Sequence, residues 1–222
     1  MELSPISKSE AARYMGVKGT PDQAVAELLD RAEKIVREKI HPKYVYIETD
    51  VTFTDEGVVL GAMSVPLTGE DIKRHLRGCN KAILMAATLT QEADKLIRQT
   101  AVTNMAKSLA IDCLCSAAVE QVCDRAEEEI FSRCDAPYRT WRFSPGYGDF
   151  PLSLQKSFLL ALNAQRRIGL TVTDSSLLIP SKSVTAIIGM SDSPVERGGR
   201  GCTICNMREN CAYRAKGNRC HG

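Results

Sequence analysis

Arg142-Phe143-Ser144-Pro145-Gly146-Tyr147-Gly148-Asp149-Phe150-Pro151 places two prolines and two glycines within ten residues. Proline fixes φ and lacks a backbone donor, and glycine opens the left-handed region. Neither a helix nor a β-ladder runs through such a stretch, so it reads as a shaped loop from which Arg142 and Tyr147 project. Its backbone N–H and C=O groups are then held at fixed angles, which suits the edge of a flat ligand such as adenine. Composition alone is equally compatible with an ordinary surface turn.

The flanking sequence says what the loop is set into. Downstream, a helical run from Ser153 to Arg167 is closed by Ile168-Gly169. Strands are expected at Leu170 to Thr173 and Val184 to Ile188. Upstream, the helical pattern from Val102 to Phe131 carries Met105, Leu109 and Cys113 at spacings of four, then Val119, Val122, Ala126 and Ile130. This predicts one long helix, or two joined near Cys115, with that stripe facing the core.

Earlier still, a first helix is expected from Ser9 to Met15. A second starts at Thr20-Pro21-Asp22-Gln23, with Thr20 as cap, and ends at His41-Pro42. Tyr44 to Phe53 and Val58 to Val65 flank Asp55-Glu56-Gly57 and read as a hairpin. Thr68 with Asp71 starts a short helix that Gly78 closes. On that helix His75, beside Arg74 and Arg77, is expected at the surface. Ala82 to Ala87 is an unbroken apolar run of buried-strand length, and Thr90 opens a helix through Ile97. Helices and strands alternate irregularly, without an internal repeat, which predicts α+β with a mainly antiparallel sheet flanked by helices.

The chain has 222 residues, 44% hydrophobic and 25% charged, with a formal net charge of +2. These values allow a full core and point to no class of partner. No apolar run reaches the length of a membrane span, and Met1-Glu2-Leu3-Ser4-Pro5 lacks the pattern of a secretory signal. A cytoplasmic chain is expected, with its nine cysteines as thiols or ligands rather than disulfides.

Arg142 to Tyr147 resembles the Arg-x-x-x-Gly-Tyr motif of the activation domain of cobalamin-dependent methionine synthase. The resemblance continues through the helix, Ile168-Gly169, Leu170-Thr171-Val172-Thr173-Asp174-Ser175-Ser176, Pro180 and Ser183-Val184-Thr185. It covers roughly residues 115–190. It implies that domain's fold, and a loop that holds S-adenosylmethionine through Arg142, Ser144, Pro145, Gly146 and Tyr147. The planar guanidinium of Arg142 suits the ligand's carboxylate end. The family also has a glutamate before this loop. Glu120 stands at a comparable place and would face the sulfonium or amino group, although the residues alone favour a solvated glutamate like Glu127, Glu128 and Glu129. The family's N-terminal ligand-contacting aspartate has no matching position here.

The composition changes after residue 190. Residues 1–190 read as the α+β domain and 191–201 as a linker rich in glycine and arginine. Residues 202–222 form a Cys-rich tail with almost no apolar residues. Cys202-x-x-Cys205, Cys211 and Cys220, followed by His221, predict a metal-ordered knob. The spacing does not separate zinc from an iron–sulfur cluster. The family pattern lacks such a tail, so the chain reads as a stand-alone relative with an added module. Cys113 and Cys123 border apolar stripes and read as small core residues.

Together these features imply reductive reactivation of a corrinoid methyltransferase, in the first place methionine synthase. Its partners would be the cobalamin-carrying enzyme and a flavodoxin- or ferredoxin-like electron donor. No general acid or base is required, and no hydrolase constellation, phosphate loop or dinucleotide fingerprint occurs. Two other classes remain open. The tail's Arg197, Arg200, Arg208, Arg214, Lys216 and Arg219 would suit a zinc-knuckle nucleic-acid binder, though Tyr213 is its one aromatic for base stacking. A methyltransferase acting on a small acceptor is the other, without the Gly-rich strand–helix turn of the usual fold.

Overall fold

A computed structural model describes residues 2–195 and Glu209. The described chain divides into two units. Residues 2–45, 86–134 and 162–184 form one; residues 46–85, 135–161 and 185–195 form the other. No helix among the described residues is long and apolar enough to cross a membrane.

The first unit is helical. It contains α1 (Lys8–Tyr14), α2 (Gln23–Lys39), α4 (Thr90–Thr103), α5 (Met105–Phe131) and α7 (Ala164–Ile168). α5 is its axis, and α1, α2 and α4 pack on it. Its buried positions include Ala110, Cys113, Cys115, Ala117, Ala118, Cys123 and Ala126, so small side chains line more than one face. Burial on more than one face agrees with helices packing on α5 from several sides. Small residues there let neighbouring helices approach closely.

Polar bonds sew the N-terminal segment onto this core. Gln121 accepts from the Ser7 amide at 3.0 Å and donates to the Pro5 carbonyl at 3.0 Å. The buried Glu33 accepts from the Ile6 amide at 2.9 Å. Lys182, only 15% exposed, donates to Ser116 at 2.8 Å and pairs with Asp112 at 2.9 Å.

Several details differ from expectation. α2 is capped by Asp22, whose Oδ1 accepts from Val25 at 2.8 Å, rather than by Thr20. The long helical run is one unbroken helix through Cys115, as the first of the two expected forms has it, but it starts after Asn104 instead of at Val102. Asn104 closes α4 through the Thr100 carbonyl and caps α5 by accepting from Lys107 at 2.9 Å. Asn competes well for backbone groups at helix ends, whereas Cys115 has no such chemistry. The stripe through Met105 and Leu109 is exposed, at 71% and 48%, while Cys113 is buried. The buried face there belongs to Ser108, Ala110 and Ile111. The helix expected from Ser153 to Arg167 is interrupted. α6 (Gln155–Ala161) stops, Asn163 adopts φ 49°, and α7 begins after it. β5 (Thr171–Val172) pairs only with β6 (Leu178–Ile179) in a small hairpin of its own.

The second unit is built on a five-stranded sheet in the order β2-β1-β3-β7-β4. β1 (Lys43–Thr54) and β2 (Gly57–Leu60) form the expected antiparallel hairpin, with Thr54 opposite Gly57. β3 (Lys81–Thr88) and β7 (Ser183–Ser191) are central and buried almost throughout. The Asn80 amide bonds to Met190 at one end of this pair and the Leu89 amide to Lys182 at the other, so they too run antiparallel. The two-residue β4 (Tyr138–Arg139) closes the edge against β7, Tyr138 facing Ser191. α3 (Glu70–His75) and α6 belong to the same unit.

Gly189 on β7 marks a point of close packing within this unit. A Cβ built there would lie 2.5 Å from Cys79 Sγ and 3.0 Å from Leu76 Cδ2. Gly189→Ala is therefore expected to destabilise the protein by about 1–3 kcal/mol in chemical denaturation. In a Cys79→Ala background, where the sulfur has gone, the penalty should shrink. An equal penalty in both backgrounds would mean that Cys79 is not the obstacle.

Candidate functional site

The loop begins as a continuation of the sheet edge. Phe143 and Ile187 exchange two backbone hydrogen bonds, at 2.9 and 2.8 Å, forming a single bridge beyond β4. Side chains alternate along extended backbone. Phe143 is buried, and its neighbours Arg142 and Ser144 are half-buried on the other side.

Two turns follow. Ser144 accepts from the Tyr147 amide at 3.0 Å, with Pro145 and Gly146 between them and Gly146 at φ 94°. Proline second and a positive-φ glycine third is the chemistry of a type II turn. The Tyr147 carbonyl then accepts from Phe150 at 2.9 Å across Gly148 (φ 57°), and the Gly146 amide donates to the Phe150 carbonyl at 2.8 Å. Arg142, Ser144, Pro145, Gly146 and Tyr147 thus lie on one short folded segment. Pro145 is buried, while Gly146 and Tyr147 are exposed.

Beneath the segment is an aromatic cluster. Phe143 contacts His75 at 4.8 Å, Trp141 at 5.1 Å, Tyr147 at 5.7 Å and Phe150 at 5.9 Å between ring centroids; Phe150 in turn meets Phe158 at 6.1 Å. His75 is buried, contrary to the surface position expected from its arginine neighbours. Its ring lies against Trp141 and Phe143, and its Nε2 is 2.9 Å from Thr140 Oγ1. That hydroxyl also accepts from the Gly189 amide at 2.8 Å. The polar tip of His75 is satisfied inside while Arg74 turns outward to Asp71.

The far side of the loop is fastened by charge. Asp149 accepts from the Glu70 amide at 2.7 Å and from the Asp71 amide at 2.9 Å, capping α3. Asp71 Oδ2 accepts in return from the Asp149 amide at 3.2 Å. Thr68 was expected to cap this helix. Gly69 stands at its N-cap position and has no cap side chain, so the cap comes from 79 residues away. Gly148 and Gly69 are there for room as well as for φ. A Cβ on Gly148 would collide with the Asp71 carboxylate, and one on Gly69 would lie 2.8 Å from Asp149 Oδ1. Asp149, Asp71, Thr140, Trp141 and His75 are the loop-supporting residues that sequence reasoning missed.

Glu120 lies half-buried on α5, in the helical unit. The Tyr14 phenol is raised first by burial, then by Glu10 with Arg13 opposing, and further by Glu120. Burial pushes the Cys79 thiol up to about 11 and the Cys115 thiol up to about 12, so both are inert core groups. Cys113 and Cys123 are buried as expected. Among the described residues no group of His, Cys, Asp or Glu could hold a metal. Cys202, Cys205, Cys211 and Cys220 lie outside the described residues.

A crystal structure described as the MetH reactivation domain bound to AdoHcy matches this chain with a TM-score of 0.61 at 13% identity. The match covers 96% of this chain and 82% of that one. The chain has the fold of the MetH reactivation domain. No protein-family model and no curated protein matches it. At 13% identity it is the common fold that is established, and on that fold the stapled loop carries the Arg-x-x-x-Gly-Tyr motif.

Burial raises the Asp149 carboxyl, but the amides of Asp71 and Glu70 outweigh it and hold the group below its usual 3.8. A carboxyl depressed in the folded state stabilises it at every pH above the unfolded value. That contribution is lost as pH falls through the folded value. The stability difference between the parent and Asp149→Asn should therefore be constant from about pH 5 to 8 and shrink below about pH 4. Thermal melts across that range would check it; a difference that persists into strong acid would assign the effect to shape instead of charge.

Proposed function

We propose that this chain binds S-adenosylmethionine on the Arg142–Tyr147 loop and serves in the reductive reactivation of a corrinoid-dependent methyltransferase, in the first place methionine synthase. The observation that supports this most is the placement of the motif. It lies on a rigid, doubly turned loop, in a chain whose fold matches over nearly its whole length that of a reactivation domain crystallised with AdoHcy.

The loop's own residues do the binding. Arg142 offers a planar fork of donors to the ligand's carboxylate. Ser144, Pro145, Gly146 and Tyr147 present backbone edges and one exposed aromatic face. Glu120 is assigned to the ligand's cationic end. The corrinoid carried by the partner, reduced by one electron, would accept the methyl group; the S–CH₃ bond breaks with its electron pair left on sulfur, giving S-adenosylhomocysteine. The protein's part is orientation and exclusion of water. A flavodoxin- or ferredoxin-like protein is the proposed electron donor. Cys202, Cys205, Cys211 and Cys220 are assigned one zinc or iron–sulfur site, which as a cluster would relay that electron.

Isothermal titration of S-adenosylmethionine, with and without a corrinoid methyltransferase, tests the loop. Arg142→Ala should weaken binding roughly ten- to a hundredfold, through loss of charge-assisted hydrogen bonds. Gly146→Val should be worse, because Gly146 has φ 94° and a Cβ there meets Leu152 Cδ1 at 3.3 Å. Ser144→Ala should change little. Parent-like binding by both of the first two variants, in both settings, would remove the assignment.

Metal analysis of protein purified without oxygen tests the tail. Replacing any one of the four cysteines with Ser should release the metal and leave the parent fold. Less than about half an equivalent in the parent would count against a shared site, since such sites contribute on the order of 10 kcal/mol of ordering free energy.

A further inference from the structure

The ligand loop is held from outside its own motif, and the inference drawn from this rests on the binding reading above. We propose that Asp149 is a positioning residue. Reciprocal capping with Asp71 locks the Gly146–Phe150 backbone into the shape that receives S-adenosylmethionine, so Asp149 acts through the backbone and not as a ligand contact.

Three observations carry this. Both Asp149 oxygens are engaged by the first amides of α3, at 2.7 and 2.9 Å, so the carboxylate is committed to the helix. The Asp149 amide is itself tied to Asp71 at 3.2 Å, which fixes the backbone on both sides of the Cα. The next residue is bound into the loop's internal network: the Phe150 carbonyl accepts from Gly146 and the Phe150 amide donates to Tyr147. Moving Asp149 therefore moves Phe150, and with it the hydrogen bond that sets Gly146, the glycine of the motif. Gly148 and Gly69 permit this approach, because a side chain on either would collide with the clamp.

The chain's one tryptophan, Trp141, borders the loop and packs on Phe143 at 5.1 Å, providing a probe that needs no ligand. The experiment compares the parent with Asp149→Ala and Asp149→Asn in two readouts. One is acrylamide quenching of Trp141 in the free protein. The other is S-adenosylmethionine affinity by calorimetry, with unfolding midpoints measured alongside. Asn keeps one acceptor oxygen, enough for one of the two α3 amides, whereas Ala keeps none. The expected result is greater quenching and affinity down about tenfold or more in Asp149→Ala, with both partly restored in Asp149→Asn, at pH 7.

Parent-like quenching in Asp149→Ala overturns the proposal. So does parent-like affinity in that variant when the parent binds. If the parent fails to bind the ligand while Asp149→Ala still loosens Trp141 and Asp149→Asn partly restores it, the binding reading falls and the control of loop shape by Asp149 stands. Should Asp149→Ala not fold, Asp71→Ala replaces it. It leaves the α3 cap in place but removes the acceptor for the Asp149 amide, and unchanged quenching and affinity there would equally overturn the proposal.

Discussion

The two backbone hydrogen bonds between Phe143 and Ile187 are what the candidate site depends on. They extend the sheet edge by one residue pair and turn the Phe143 ring into the interior. There it meets His75, Trp141, Tyr147 and Phe150. A loop with no ladder of its own is thereby fixed to a long, buried strand of its unit. The alternation of extended chain then does the rest: with Phe143 turned in, Arg142 and Ser144 are turned out. Burying the rings of His75, Phe143, Phe150 and Phe158 also supplies the apolar area that two glycines cannot.

On the opposite side the loop is held by charge instead of apolar burial. Gly148 and Asp149 are exposed, so no hydrophobic contact can pin them. Carboxylates accepting from backbone amides are among the stronger hydrogen bonds available at a surface. Using the free amides of α3 for this satisfies a helix start that its own sequence leaves without a cap. The same bonds explain the local glycines, which give way to the clamp. A shaped loop and a short helix without a cap of its own are here one solution to two separate deficits.

The helical unit follows different physics. α5 carries alanine, serine and cysteine where larger side chains would be expected in an interior helix. Close approach of α1, α2 and α4 replaces bulk. The cysteines on α5 serve as small apolar residues, and burial keeps the Cys115 thiol protonated.

Local chemistry was enough for part of this. The prolines and glycines of residues 142–151 dictate a turn-rich loop, because φ is restricted whatever surrounds it. The alternation around Asp55-Glu56-Gly57 dictates the hairpin, and the apolar run at Ala82 to Ala87 dictates a buried strand. The exposure of Met105 and Leu109 was not legible, since a helical stripe shows that a face is apolar but not whether another element covers it. Nor was the burial of His75, whose arginine neighbours describe only the outer face of a six-residue helix. The Asp149 clamp joins residues 78 and 79 apart in sequence. Carboxylates and amides attract wherever they meet, so pattern carries no record of which pairs do. The loop's chemistry is therefore written in its own ten residues, while its rigidity was decided by β7, α3 and the rings that the tertiary structure brought beneath it.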